Sequence, residues 1–161
     1  MIVYKVQAQH IDVLWPYAEP LLQKPMNSTL WEIELEDIKN WLKAEQQQLL
    51  LGIDEHKQEI ILAITTQIYV YPQQSHLRIH LAGSKEHTIN SWIDEWIGPM
   101  EKFCKENGIR YLETAGRDGW TKLLKKKGYE KYYTVLVKEI KDDWYTKIYI
   151  NFRNARKGNI V

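Results

Sequence analysis

The stretch AGRDGWTKLLKKKGY, residues 115–129, sets Arg117 at the entrance to a helix that carries Lys122, Lys125, Lys126 and Lys127. A glycine-rich helix entrance presents free backbone N–H groups, so the chemistry this segment could serve is the holding of an anion. The lysines have a plainer account: cations near a helix C-terminus complement the dipole, and a charge run marks a solvated face. A second candidate is Gly83-Ser84-Lys85, a turn-like triplet that could act as a nest for phosphate. His76, Arg78 and His80 alternate along HLRIHLAG. Histidine can take a proton near neutral pH, although an alternating polar row is also the ordinary outer face of a strand. Tyr129, Tyr132 and Tyr133 supply phenols nearby in sequence.

Other chemistries are excluded. Of the histidines at 10, 56, 76, 80 and 87, only His76 and His80 are related in spacing. Four residues apart on a strand, they would stand about 13 Å from each other, too far to share a metal ion. No Ser-His-Asp pattern and no Walker-type loop is present.

The chain has 161 residues, enough for one domain with its own core. With 44% hydrophobic and 27% charged residues the balance is globular, and a net charge of +1 provides no broad field for nucleic acid or an anionic membrane. Cys104 is the only cysteine, which excludes an intrachain disulfide and fits a reducing compartment. No apolar run nears the roughly 20 residues of a membrane span, and MIVYKVQAQH lacks the pattern of a signal peptide. The expectation is a soluble protein made in a cytoplasm. The 7 Trp and 10 Tyr, against 2 Phe, bury large areas while keeping a polar handle, and most are expected in the core.

The elements that must position these residues follow from periodicity. Ile2 to Val6 reads as a strand. Ile11 to Leu22 is helical in spacing, and Pro20 is expected to end or kink that helix. Leu35, Ile38, Trp41 and Leu42 recur at helical spacing, with Glu34, Glu36 and Asp37 at the positive end. QLLLGID and EIILAITTQIYVY read as a hairpin joined by DEHKQ. HLRIHLAG reads as a third antiparallel strand with Leu77, Ile79 and Leu81 on one face and His76, Arg78 and His80 on the other. From Ile89 to Asn107 the apolar steps of three and four predict a helix, kinked at Gly98-Pro99 and stopped by Asn107-Gly108. IRYLETAG is then a strand, Asp118 to Lys127 a helix, YEKYYTVLVKEI a strand, and Tyr145 to Phe152 a further candidate strand. The order predicts a single α/β (α+β) domain over 1–140, with a mixed, mostly antiparallel sheet flanked by helices. Residues 141–161 form an extension with a basic end.

From residue 76 to 140 this order resembles the GNAT family of acyl-CoA-dependent N-acetyltransferases, whose short helix ends in Gly-aromatic, here Gly128-Tyr129. More narrowly, GRDGWTKLLKKKGYEKYYTVLVKEI is similar to small GNAT-like proteins encoded by tailed phages. The resemblance implies an Arg/Gln-x-x-Gly-x-Gly/Ala cradle for the cofactor pyrophosphate, and the corresponding positions here are Thr88 to Ile93. Ser91 and Ile93 stand where glycines are expected, and Thr88 where the basic residue would be. Leu124 stands where active members often place a tyrosine acid, Arg117 replaces an asparagine, and Trp120 replaces a small residue. Leucine cannot donate a proton. Where the family often has a glutamate base, this strand offers His76, Arg78 and His80.

These departures imply a GNAT fold with a degenerate acyl-CoA site and no cofactor. The expected role is then binding a protein partner, as a virion or virion-assembly component in a host cytoplasm or a phage particle, through exposed aromatics such as Trp92 and through the C-terminal tail. Self-association is compatible with that role, whereas a nucleic acid or a membrane is not the expected partner. The alternative is an active N-acyltransferase that uses acetyl-CoA to acetylate an amine. In it, Gly83, Ser84, Lys85, Ser91 and Arg117 hold the pyrophosphate, and His80 or Tyr129 handles protons.

Overall fold

The first strand, β1 (Ile2–Val6), leads through a short 3-10 turn at Ala8–His10 into helix α1 (Ile11–Met26). The computed structural model describes residues 1–29, 32–85, 91, 93–116 and 118–138. Helix α1 continues through Pro16, Pro20 and Pro25 instead of stopping at Pro20. Each proline removes one i→i−4 bond. The helix persists because Ile11, Trp15, Ala18, Leu21, Leu22 and Met26 form a continuous buried stripe, and tertiary packing outweighs propensity. Helix α2 (Leu35–Lys43) opens with a reciprocal capping arrangement in which the Glu34 N–H donates to Asp37 Oδ2 at 2.8 Å.

Strands β2 (Gln48–Asp54) and β3 (Glu59–Val70) form the expected hairpin, with Gln58 at a positive φ in its turn. Strand β4 (Ser75–Ser84) returns antiparallel to β3. Helix α3 (Ile93–Glu106) contains Gly98 and Pro99 and ends at Gly108, whose φ of +64° is the left-handed stop that glycine permits. Strand β5 (Tyr111–Thr114) and helix α4 (Asp118–Lys125) follow, both shorter than the periodicity predicts.

The sheet order is β1-β2-β3-β4-β5, with antiparallel neighbours except for the parallel pair β4 and β5. On one face, α1 and α2 cover Leu49, Leu51, Ala63 and Leu81. On the other, α3 and α4 cover Leu62, Ile64, Leu77 and Ile79. Trp15 and Trp96 are core residues, as most tryptophans were expected to be.

Two expectations fail. Residues 131–138 form no strand; Tyr132 and Leu136 are each 90% exposed there. A β-rich stretch becomes a strand only when an edge pairs with it, and none of the described residues does so. The even alternation along β4 also breaks, because Leu77 and Ile79 face α3 while Leu81 faces α1. Thr65 pairs with Leu81 and Thr66 with Ile79, which leaves His80 as the extra residue of a β-bulge. The candidate strand at 145–152 lies outside the described residues.

Candidate functional site

The bulge at His80 and the end of the β4–β5 pairing fall together. The parallel ladder runs from His76 opposite Tyr111 to Ile79 opposite Thr114, and then stops. The Thr114 hydroxyl donates to the Ile79 carbonyl at 3.3 Å, fastening the last pair. Beyond it β4 continues from His80 to Ser84 with no strand of the described residues beside it on the β5 side, while Ala115 and Gly116 turn toward α4. The gap is a cavity of about 790 Å³, lined by His80 to Ser84, by Thr114 to Gly116, and by Trp96, Trp120, Leu123 and Leu124. Lys24, Pro25, Ser28 and Thr29, at the end of α1, close its other side. Among the described residues this edge of β4 is unpaired, and it offers backbone donors and acceptors to whatever enters.

Local chemistry explains each wall. The buried Thr65 hydroxyl accepts the Leu81 N–H at 3.2 Å, supplying the bond that the bulge takes from the ladder. A Cβ at Gly83 would overlap the Leu21 carbonyl oxygen of α1. That carbonyl has lost its usual helical donor, because the residue four positions on is Pro25. Gly83 therefore lets α1 and β4 approach closely. Trp120 stands edge-on to Trp96, with ring centroids 6.2 Å apart, and lies over Gly116.

His80 is half-buried, and its Nε2 lies 3.3 Å from the Tyr69 hydroxyl. Burial lowers its pKa, and the Arg78 cation lowers it further against the opposing pull of Glu113. The imidazole is therefore neutral at neutral pH and able to accept a proton. The Tyr69 hydroxyl donates to Gln67 Oε1 at 3.3 Å, and the Arg78 guanidinium sits 4.3 Å from the Tyr69 ring centroid. Arg78 Nε donates to Glu113 Oε1 at 2.6 Å, while His76 Nδ1 lies 3.1 Å from Oε2. Burial pushes the Glu113 carboxyl up, but the His76 and Arg78 bonds overcome that and hold it below its ordinary range.

The other sequence-derived candidates are placed as follows. Gly83 and Ser84 line the cavity as strand residues, so they are not a turn. Lys85 follows at the strand end and pairs with Glu59 at 3.1 Å. Ser91 is exposed and is not among the lining residues, and Arg117 lies outside the described residues, as do Thr88 and Trp92. Tyr129 is also absent from the lining. It packs into the core beside α3, where burial, with Glu101 and Cys104, drives its phenol far above the ordinary tyrosine value. Leu124, at the position of the family's tyrosine, does line the cavity. Tyr69, Gln67, Glu113, Thr65 and Thr114 carry no motif that would single them out from sequence. Among the described residues no metal-binding cluster occurs, and no helix is long and apolar enough to cross a membrane.

Comparison with known proteins gives structure without sequence. No family model and no curated protein matches the chain. Solved structures do. A probable acetyltransferase superposes with a TM-score of 0.66 at 10% identity, covering 89% of this chain and 100% of its own. An aminoglycoside acetyltransferase from an uncultured soil metagenomic sample, in complex with sisomicin, gives 0.65 at 11%, covering 87% and 96%. A ribosomal-protein-alanine N-acetyltransferase from Brucella melitensis biovar Abortus 2308 gives 0.64 at 9%, covering 87% and 100%. The five-stranded, mostly antiparallel sheet with helices on both faces, parted between β4 and β5, is thus the fold of the GNAT acetyltransferases.

Proposed function

We propose that the chain binds an acyl-CoA in the cleft between β4 and β5 and transfers the acyl group to an amine. The observation that carries this reading is the cavity itself, which joins an apolar wall, a free strand edge and a neutral histidine. A volume of about 790 Å³ lies within the range of small-molecule sites. The His80–Ser84 edge suits an arm rich in amides, and Trp96, Trp120 and Leu124 suit its apolar parts. A predicted acetyltransferase from Clostridium acetobutylicum with acetyl-CoA shares the fold, with a TM-score of 0.60 at 13% identity over 86% of this chain and 95% of that one.

In this reading the amine nitrogen attacks the thioester carbonyl, the C–N bond forms and the C–S bond breaks. His80 takes the proton lost by the amine. Leu124 has no proton to give, so the sulfur leaves as a thiolate without help from that position. Lys24 and Ser28 line the α1 side, by which an acceptor would approach.

A second reading is a partner-binding protein without turnover, of the kind found among virion components. It is supported by Leu124 in the lining and by the exposed Tyr132 and Leu136. Thiol release from acetyl-CoA, measured with a panel of small amines and amine-bearing peptides, separates the two. The acyltransferase reading expects amine-dependent release that falls at least about 100-fold in His80→Ala. Release that is absent with every amine supports the second reading, and amine-dependent release unchanged in that variant would keep the acyltransferase and remove His80 as its base.

A further inference from the structure

The Tyr69 hydroxyl has one proton and two neighbours that could receive it. One is Gln67 Oε1 at 3.3 Å, and the other is His80 Nε2, also at 3.3 Å. Gln67 Oε1 also faces the Gln47 side-chain amide nitrogen at 3.5 Å. Gln47 is 5% exposed, so its amide has little access to water. An amide oxygen can only accept. With Gln67 Oε1 turned toward Tyr69, both Tyr69 contacts are hydrogen bonds in one arrangement of these three groups: the hydroxyl donates to Gln67, and it accepts from His80. If Tyr69 donated to His80 instead, its oxygen would face Gln67 Oε1 with no proton between them.

We infer that Tyr69 is a positioning residue that holds His80 as the Nε2–H tautomer and leaves Nδ1 as the basic nitrogen. Among the described residues Nδ1 has no hydrogen-bond partner. The inference rests on the acyltransferase reading only in naming Nδ1 as the atom that takes the amine proton; the tautomer itself stands on the side-chain network. Gln67 and Gln47 act behind Tyr69, in a row that ends at His80. The charged and titratable groups around His80 are Arg78 on its own strand, Tyr69 on β3 and Glu113 on β5, with Lys24 of α1 lining the same cavity.

The sign of one substitution decides the matter. When Tyr69 accepts, its bond is stronger to the imidazolium than to the neutral ring, so it raises the His80 pKa within its buried setting. Tyr69→Phe keeps the ring under Arg78 and removes only the hydroxyl. It is expected to lower the His80 pKa by about half a pH unit, read by NMR titration of the imidazole in the full chain. Nitrogen chemical shifts of the unmodified protein, taken above that pKa, are expected to show a protonated Nε2 and a bare Nδ1. A raised pKa in the variant, or a protonated Nδ1 in the parent protein, overturns the inference. Neither readout depends on turnover, so an inactive protein would sink the acyltransferase reading and leave the tautomer decided on its own. In an active protein, Tyr69→Phe is expected to lower kcat/KM about tenfold with the rising limb of its pH profile moved to lower pH.

Discussion

His80 combines three circumstances that rarely meet by accident: it is the residue pushed out by a bulge, it lines the cleft, and burial keeps it neutral. The lowered pKa gives the pH dependence its sign. A base must be unprotonated, so acyl transfer should rise with pH through a midpoint below the ordinary histidine value of about 6.5 and stay level above it. A profile of kcat/KM against pH with its midpoint at or above 7 would show that some other group sets the rate. HLRIHLAG names His80 as a candidate base from its residue type alone. What the string does not contain is Tyr69, eleven residues earlier, or Glu113, thirty-five residues after Arg78. Those partners meet only once the strand register is set, and a bulge shifts that register by one. Tyr129 shows the converse. Its place in the sequence brings it near the candidate chemistry, yet Gly128 turns it into the core beside α3.

At the scale of elements, periodicity locates the helices and the β2–β3 hairpin well, because amphipathic faces and turn residues are local signals. It misplaces the end of α1, where Pro20 speaks for a break and a buried stripe of six side chains keeps the helix whole. It also reads Gly83 as part of a turn. In the fold Gly83 is a strand residue whose missing side chain admits the Leu21 carbonyl. Backbone cannot retreat as a flexible side chain can, so Gly83→Ala should force α1 and β4 apart. The expected loss is about 1–3 kcal/mol of unfolding free energy, measured by urea denaturation. An unchanged urea midpoint would mean that the close approach is not under strain. The segment 131–138 reads as a strand and forms none for a related reason: β-propensity states what a residue tolerates, and the neighbour that would use it is not written in the segment.

For the whole molecule, the arrangement of layers follows from the order of elements, and the fold that the GNAT resemblance implies is matched by solved structures at 9–13% identity. The cleft is the least legible feature. It arises where a parallel pair is cut short, and no local pattern marks the length of β5. The replaced cradle positions, Ser91 and Ile93 among them, speak for a lost cofactor site, whereas the open gap beyond Ile79 and Thr114 speaks for a retained one. These two arguments make opposite forecasts for one quantity, the affinity of the folded chain for acetyl-CoA. Calorimetric titration of the full chain with acetyl-CoA measures it directly. A cleft that holds the pantetheine arm predicts saturable, micromolar binding of one ligand per chain, and silence at millimolar acetyl-CoA would contradict it.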